Sequence, residues 1–161
     1  IDKSIIDNTM QINEVNEVIS DFIKKDNPTF DELKENLEIC LSKKIDGVIL
    51  TNTTLDKGLL GEGSFPEGGL SGAPLFEKSL SFVSEAYKIL QGNIPIIGVG
   101  GIDSGEKALK MILAAANLLQ VYTGYIYEGP FLPNQICAFL DKYLKNNKYN
   151  HISEIVGLNH K

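Results

Sequence analysis

A short apolar run ending in glycine or small polar residues, with a helical pattern following it, recurs three times in this chain. That recurrence limits the fold more than any other feature. Val48-Ile49-Leu50 leads into Thr51-Asn52-Thr53, and Ile94-Pro95-Ile96-Ile97 leads into Gly98-Val99-Gly100-Gly101. Leu118-Leu119-Gln120-Val121 leads into Tyr122-Thr123-Gly124. Short apolar runs bounded by turn residues read as buried parallel strands, predicted here over 48–53, 94–99 and 118–123. The segments between them carry helical periodicity, with helices predicted over 30–43, 75–90, 106–116 and 133–144.

Local signals agree with these boundaries. Thr29 and Glu32 have capping-box spacing, and Phe30, Leu33, Leu37, Cys40 and Leu41 then mark one face. Pro74 suits the entry to the second helix. In the third, Ala108, Leu109, Ile112 and Leu113 are expected to point inward. Residues 1–27 are polar and Asn-rich, with apolar spacing that predicts a helix around 11–25. The tail, 151–161, is expected to add a short last helix.

Strand–helix units in succession with short turns build a parallel sheet wrapped by helices. A doubly wound sheet and a (β/α)8 barrel both satisfy the pattern. Polar or glycine residues at the end of each strand favour the barrel, whose sites are assembled from the carboxyl ends of many strands. A full barrel needs roughly 250 residues. A chain of 161 residues therefore reads as about the C-terminal half of a TIM barrel, over 28–161.

Composition narrows the function classes. A net charge of −6 gives no basic face for nucleic acid. Cys40 and Cys137 lie in apolar helical runs and read as buried thiols, and with His151 and His160 they make no zinc pattern. Both histidines are expected at the surface. No stretch reaches the ~18 apolar residues of a membrane span. The opening Ile1-Asp2-Lys3-Ser4 is no signal peptide and lacks an initiator methionine, so the chain is expected to begin mid-protein.

The candidate chemistry lies at the strand ends. Gly98-Val99-Gly100-Gly101 opens a turn into a helix, and such a turn cradles phosphate. Tyr122-Thr123-Gly124, at the next strand end, would close its other side. Asn52 and Thr53 supply amide and hydroxyl groups suited to a planar ring with alternating carbonyl and N–H groups. Gly68-Gly69-Leu70-Ser71-Gly72 belongs to a loop of about 20 residues, a length that is usually functional or disordered. Each feature also has a plain alternative as a turn, cap or surface loop. No Ser-His-Asp arrangement is visible, and no residue stands out as a general base.

Four stretches, in this order and spacing, resemble the dihydroorotate dehydrogenase family: Ile45 to Thr54, Gly68 to Leu75, Ile94 to Gly105, and Leu119 to Gly124. The ending Ile152-Ser153-Glu154-Ile155-Val156-Gly157 is similar to its class 2, membrane-associated branch. The resemblance covers about 45–161. It implies a (β/α)8 barrel with FMN on its C-terminal face, oxidising dihydroorotate to orotate in pyrimidine synthesis and passing electrons to a quinone. It implies that Thr51, Gly72, Gly100, Gly101, Tyr122 and Thr123 contact FMN, and that Asn52 and Thr53 bind the orotate ring. It also implies association with the mitochondrial inner membrane, or with the cytoplasmic membrane of a bacterium.

Departures from the family are equally specific. The stretch of the Asn-x-Ser-Ser-Pro-Asn-Thr type, with the catalytic serine, has no match. The flavin-side lysine, the Lys-x-Ala-Pro-Asp-Leu motif and the N-terminal quinone tunnel have none either. The catalytic base is therefore expected upstream, in a missing N-terminal half of the barrel, and the isolated chain is expected to be inactive. Residues 1–27 carry no recognised motif and read as a possible insertion. Ala114-Ala115-Ala116 stands where Ala-Gly-Ala is usual. Another FMN barrel, such as a dihydropyrimidine dehydrogenase-like domain, and a non-catalytic phosphate-binding half-barrel are the alternative readings.

Overall fold

The computed structural model describes residues 28–61, 63–64 and 67–161. The helix expected around 11–25 lies outside them. Three parallel strands, β1 (Val48–Leu50), β2 (Ile96–Val99) and β3 (Leu118–Gln120), form one sheet in the order β1-β2-β3. The register pairs Ile49 with Ile97 and Ile97 with Leu118. The helices are α1 (Phe30–Lys43), α2 (Phe76–Leu90), α3 (Gly105–Leu113), α4 (Thr123–Glu128) and α5 (Leu132–Asn146).

Helix α1 has the predicted bounds, and its capping box forms: Glu32 N–H donates to Thr29 Oγ1 at 3.3 Å, and Thr29 N–H to Glu32 Oε2 at 2.9 Å. The strands are shorter than predicted. β1 stops at Leu50 because the chain turns at Thr51–Thr53 to present polar groups. β2 begins after Pro95, which has no N–H for a ladder but whose carbonyl accepts from Val48. β3 gives way to α4, so Thr123 opens a helix where a strand end was expected. A 3-10 turn at Ala73–Leu75 takes up Pro74 before α2 starts. Helix α3 ends at Leu113, three residues early, and Ala115 then adopts φ 100°. The tail forms two 3-10 turns, Ile152–Glu154 and Leu158–His160, in place of one helix.

The core lies between the sheet and helices α1, α2, α3 and α5. Leu33, Leu37, Val48, Leu50, Val83, Ala86, Leu90, Ile96, Ala108, Met111, Leu132 and Ile136 are buried together. In α3, Met111 takes a core place that Leu109 and Leu113, both half-buried, were expected to share. Phe30 is half exposed and reaches only the rim, with its ring centroid 5.1 Å from that of Phe82. The thiols also differ from expectation. Cys137 is exposed on α5, while Cys40 is half-buried and its pKa is raised by desolvation.

Side chains alternate across a strand, so each strand has two faces. Val48, Leu50 and Ile96 face the helices. Ile49 and Leu118 lie on the other face and are 55% and 62% exposed. Among the described residues, the apolar runs that suggested burial on both faces are thus covered on one only. Eight strands close a barrel; the described residues supply three, as an open parallel sheet.

The tail closes the bottom of the core. Ile155 is fully buried and Gly157 N–H donates to Ile112 O at 3.0 Å. His160, expected at the surface, is half-buried, its ring tilted against that of Tyr87 with centroids 4.7 Å apart and Nε2 3.2 Å from Ala114 O.

Candidate cofactor and substrate site

The carboxyl ends of the three strands and the long loop after β1 meet at one end of the sheet. The loop is folded rather than slack. Thr54 and Leu70 pair across its neck, with N···O distances of 3.1 and 2.7 Å. Lys57 and Gly68 are hydrogen bonded within it, and Lys57–Leu60 forms a 3-10 turn capped by Asp56. This neck is what brings Gly69–Gly72 back over the sheet end.

Close backbone approaches then join the pieces. Gly72, at φ 80°, packs on Thr123, and a Cβ there would lie 2.9 Å from Thr123 Cγ2. Gly101, at φ 69°, sits on the start of α2, where a Cβ would lie 2.7 Å from the Phe76 amide nitrogen. Gly124 in α4 rests on the Ile102 carbonyl and the Asp103 backbone. Only glycine permits both the positive φ and these contacts at 72 and 101. Thr123 Oγ1 donates to Ser71 Oγ at 2.9 Å, linking the β3 end to the loop.

These elements border an open cavity of about 660 Å³ whose lining includes Gly69, Ser71, Gly72, Gly101, Asp103 and Thr123. The walls mix glycine backbone and the Ser71 and Thr123 hydroxyls with the apolar side chains of Leu60, Leu70, Ala73 and Pro74, which suits a ligand that joins a phosphate to a flat ring. Lys57, Glu67 and Glu128 supply charge at the cavity. Asp103 is held by Lys107, with Nζ and Oδ2 2.7 Å apart. Among the described residues no group of acidic, histidine and cysteine side chains could hold a metal.

The predicted residues fall into two sets. Gly72, Gly101 and Thr123 line the cavity, but Thr51, Asn52, Thr53, Gly100 and Tyr122 do not. Thr51 Oγ1 is turned to Ser79 Oγ at 2.8 Å and lies 3.3 Å from Val99 O. The peptide bond before it, Leu50–Thr51, is cis. Asn52 and Thr53 are exposed beside the cavity, and Gly69 packs directly on Thr53. Asn52 Oδ1 accepts the Thr53 N–H at 2.8 Å, which leaves its Nδ2 as a donor. Gly100 packs on the Ser79 hydroxyl, and Tyr122 is 76% exposed. Ser71 and Ser79 went unnoticed as individual site residues. Ser71 had a signal in the Gly-rich stretch, whereas Ser79 is a serine inside a helical pattern and had none.

A parallel α/β unit with a glycine- and hydroxyl-lined cavity at the carboxyl ends of its strands belongs to the class of ligand-binding α/β proteins. The family model described as dihydroorotate dehydrogenase matches residues 13–144. A Mesorhizobium japonicum protein named dihydroorotate dehydrogenase (quinone) is 43% identical over 126 residues, covering 77% of this chain and 35% of that protein. A Gloeobacter violaceus protein of the same name is 40% identical over 128 residues, covering 80% and 36%. A crystal structure of DHODH from Eimeria tenella in complex with ferulenol superposes with a TM-score of 0.77 at 35% identity, over 84% of this chain and 36% of that one. The chain belongs to the dihydroorotate dehydrogenase family. It spans about a third of the length of these relatives.

Proposed function

We propose that this chain supplies the FMN- and orotate-binding part of a quinone-dependent dihydroorotate dehydrogenase, and that residues 28–161 are the C-terminal half of its (β/α)8 barrel. The observation that carries this is the cavity built from Gly72, Gly101 and Thr123, with Asn52 and Thr53 exposed beside it. Two of the relatives share the quinone designation.

FMN fits this lining. Gly72 and Gly101 let the loop and the turn after β2 close against Thr123 and the start of α2, which keeps backbone at the cavity wall, and the Ser71 and Thr123 hydroxyls offer partners for a phosphate. Thr51, Gly100 and Tyr122 complete the proposed FMN contacts, Tyr122 and Thr123 through backbone N–H. FMN bound there would supply a hydride acceptor for dihydroorotate. Asn52 donates from Nδ2 to a ring carbonyl, and the Thr53 hydroxyl holds the ring's other edge. Placing the reactive carbon by such contacts lowers the entropy cost of the step. The base that removes the neighbouring proton comes from outside these residues, where the family's serine motif would lie.

The reading extends to location, at the mitochondrial inner membrane or a bacterial cytoplasmic membrane. The cited quinone-named relatives are bacterial. No helix among the described residues is long and apolar enough to cross a membrane.

The test is the visible absorbance of the purified chain, with and without added FMN, repeated on the intact gene product. A protein-bound flavin spectrum, with substrate use by the intact protein that Asn52→Ala impairs far more than it impairs FMN retention, supports the proposal. A folded intact protein that binds no flavin refutes it.

A further inference from the structure

Helix α2 sends two consecutive side chains to the segment that carries Asn52 and Thr53, one on each side of the pair. Ser79 is fully buried, with its Oγ 2.8 Å from Thr51 Oγ1. The same hydroxyl lies against Gly100, so α2, β1 and the turn after β2 meet at one atom. Lys78 reaches the other side. Its Nζ donates to Thr54 Oγ1 at 3.2 Å and lies 3.7 Å from Asp56 Oδ2. Thr54 is buried, and its Oγ1 also accepts the Asp56 N–H at 3.2 Å.

The Lys78–Asp56 pair is shielded, as Lys107–Asp103 is at 26% and 27% exposed, while the pairs on the outer helix faces are solvated. The Lys78 and Asp56 side chains are 17% and 33% exposed, against 60% and 58% for Lys34–Glu38 and 73% and 60% for Lys145–Asp141. A shielded, charge-assisted contact restrains a backbone more firmly than a solvated one. Asn52 and Thr53 themselves are exposed; Gly69 packs on Thr53, and the hydrogen bond from Thr53 N–H to Asn52 Oδ1 lies within the pair. Without anchors at both ends they would sample many orientations, and ordering them on binding would weaken affinity.

We infer that Lys78 and Ser79 are positioning residues: together they clamp Thr51 and Thr54–Asp56 so that Asn52 and Thr53 are held ready for substrate. The inference rests on the reading of Asn52 and Thr53 as substrate-binding. Neither Lys78 nor Ser79 lines the cavity; both act through the backbone between them.

The experiment uses the intact gene product with Lys78→Met, Lys78→Arg and Ser79→Ala, alongside Asn52→Ala. Amide hydrogen exchange across 51–56 reads the clamp itself, and KM for dihydroorotate, kcat and flavin content read its consequence. Lys78→Met and Ser79→Ala are expected to speed exchange in 51–56 and to raise KM about tenfold, the scale of one lost oriented contact. Flavin content stays unchanged in Lys78→Met, whose side chain touches none of the proposed FMN contacts, and Lys78→Arg keeps a KM near the parent's. Unchanged exchange in both variants, each folded and loaded with flavin, overturns the clamp. Faster exchange with an unchanged KM overturns the positioning role. In that case Asn52→Ala locates the fault: an unchanged KM there refutes the substrate reading, and a raised KM there refutes the clamp's part in it.

Discussion

The hydroxyl of Thr123 donates to the hydroxyl of Ser71 at 2.9 Å, across 52 residues of sequence, and ties the end of β3 to the Gly-rich loop. Gly72, next to Ser71, packs on the methyl of the same threonine. Thr123 therefore shapes the cavity twice, by its hydroxyl and by its methyl. Thr123→Val keeps the shape and removes the hydroxyl. It is expected to weaken FMN binding about tenfold with little change in folding. Flavin fluorescence titration checks this, and unchanged affinity would remove Thr123 from the phosphate site.

Gly101→Ala is expected to destabilise the fold by more than about 2 kcal/mol, since it adds a Cβ at a positive φ against immovable backbone. Gly92 provides the control. It has φ 78° with nothing within 4 Å of a Cβ, so Gly92→Ala should cost only about 1 kcal/mol. Denaturant unfolding of the two variants would separate strain from collision, and equal losses would show that the contact at Phe76 is soft.

Ile155 is buried far from the site. Ile155→Ala is expected to cost about 2–4 kcal/mol through the cavity it leaves. A change below about 1 kcal/mol in urea unfolding would mean that the tail is not part of the core.

Ile49, Ile97 and Leu118 form an apolar row on the sheet face that the helices leave open, and among the described residues β1 and β3 have unpaired edges. Such faces and edges drive association. The isolated chain is expected to self-associate, and Leu118→Lys to reduce that without lowering stability. Sedimentation of the two proteins decides, and a monomeric parent chain contradicts it.

The two thiols should react at different rates. Desolvation raises the Cys40 pKa, so at any pH near 8 less of it is thiolate, and the side chain is also half-buried. Cys137 is exposed. Alkylation followed by mass spectrometry should show Cys137 modified first; the reverse order would place Cys40 at a surface.

Much of this protein was legible in local signals. Thr29 and Glu32 fixed the start of α1 because a capping box is a contact between near neighbours. The three strands and α1, α2, α3 and α5 followed from apolar spacing, and the glycines at 72 and 101 marked backbone that must approach something closely. Helix α4 was missed because Thr123–Glu128 is too short to show a period and follows a strand without a break. The Cys137 expectation failed because helical spacing does not say which flank of a helix is covered, and the His160 expectation because a place in the tail does not say that the tail folds back on Tyr87 and Ala114.

The sequence by itself determined the order of strands and helices and the chemistry at each strand end, since these depend on residue type and short-range periodicity. Only the tertiary structure decided that Thr51 turns to Ser79 while Asn52 and Thr53 stay exposed, that Lys78 reaches Thr54 and Asp56, and that the described helices cover only one face of the sheet. Those outcomes depend on contacts between residues far apart in the chain, where packing, and not local preference, sets which atoms meet.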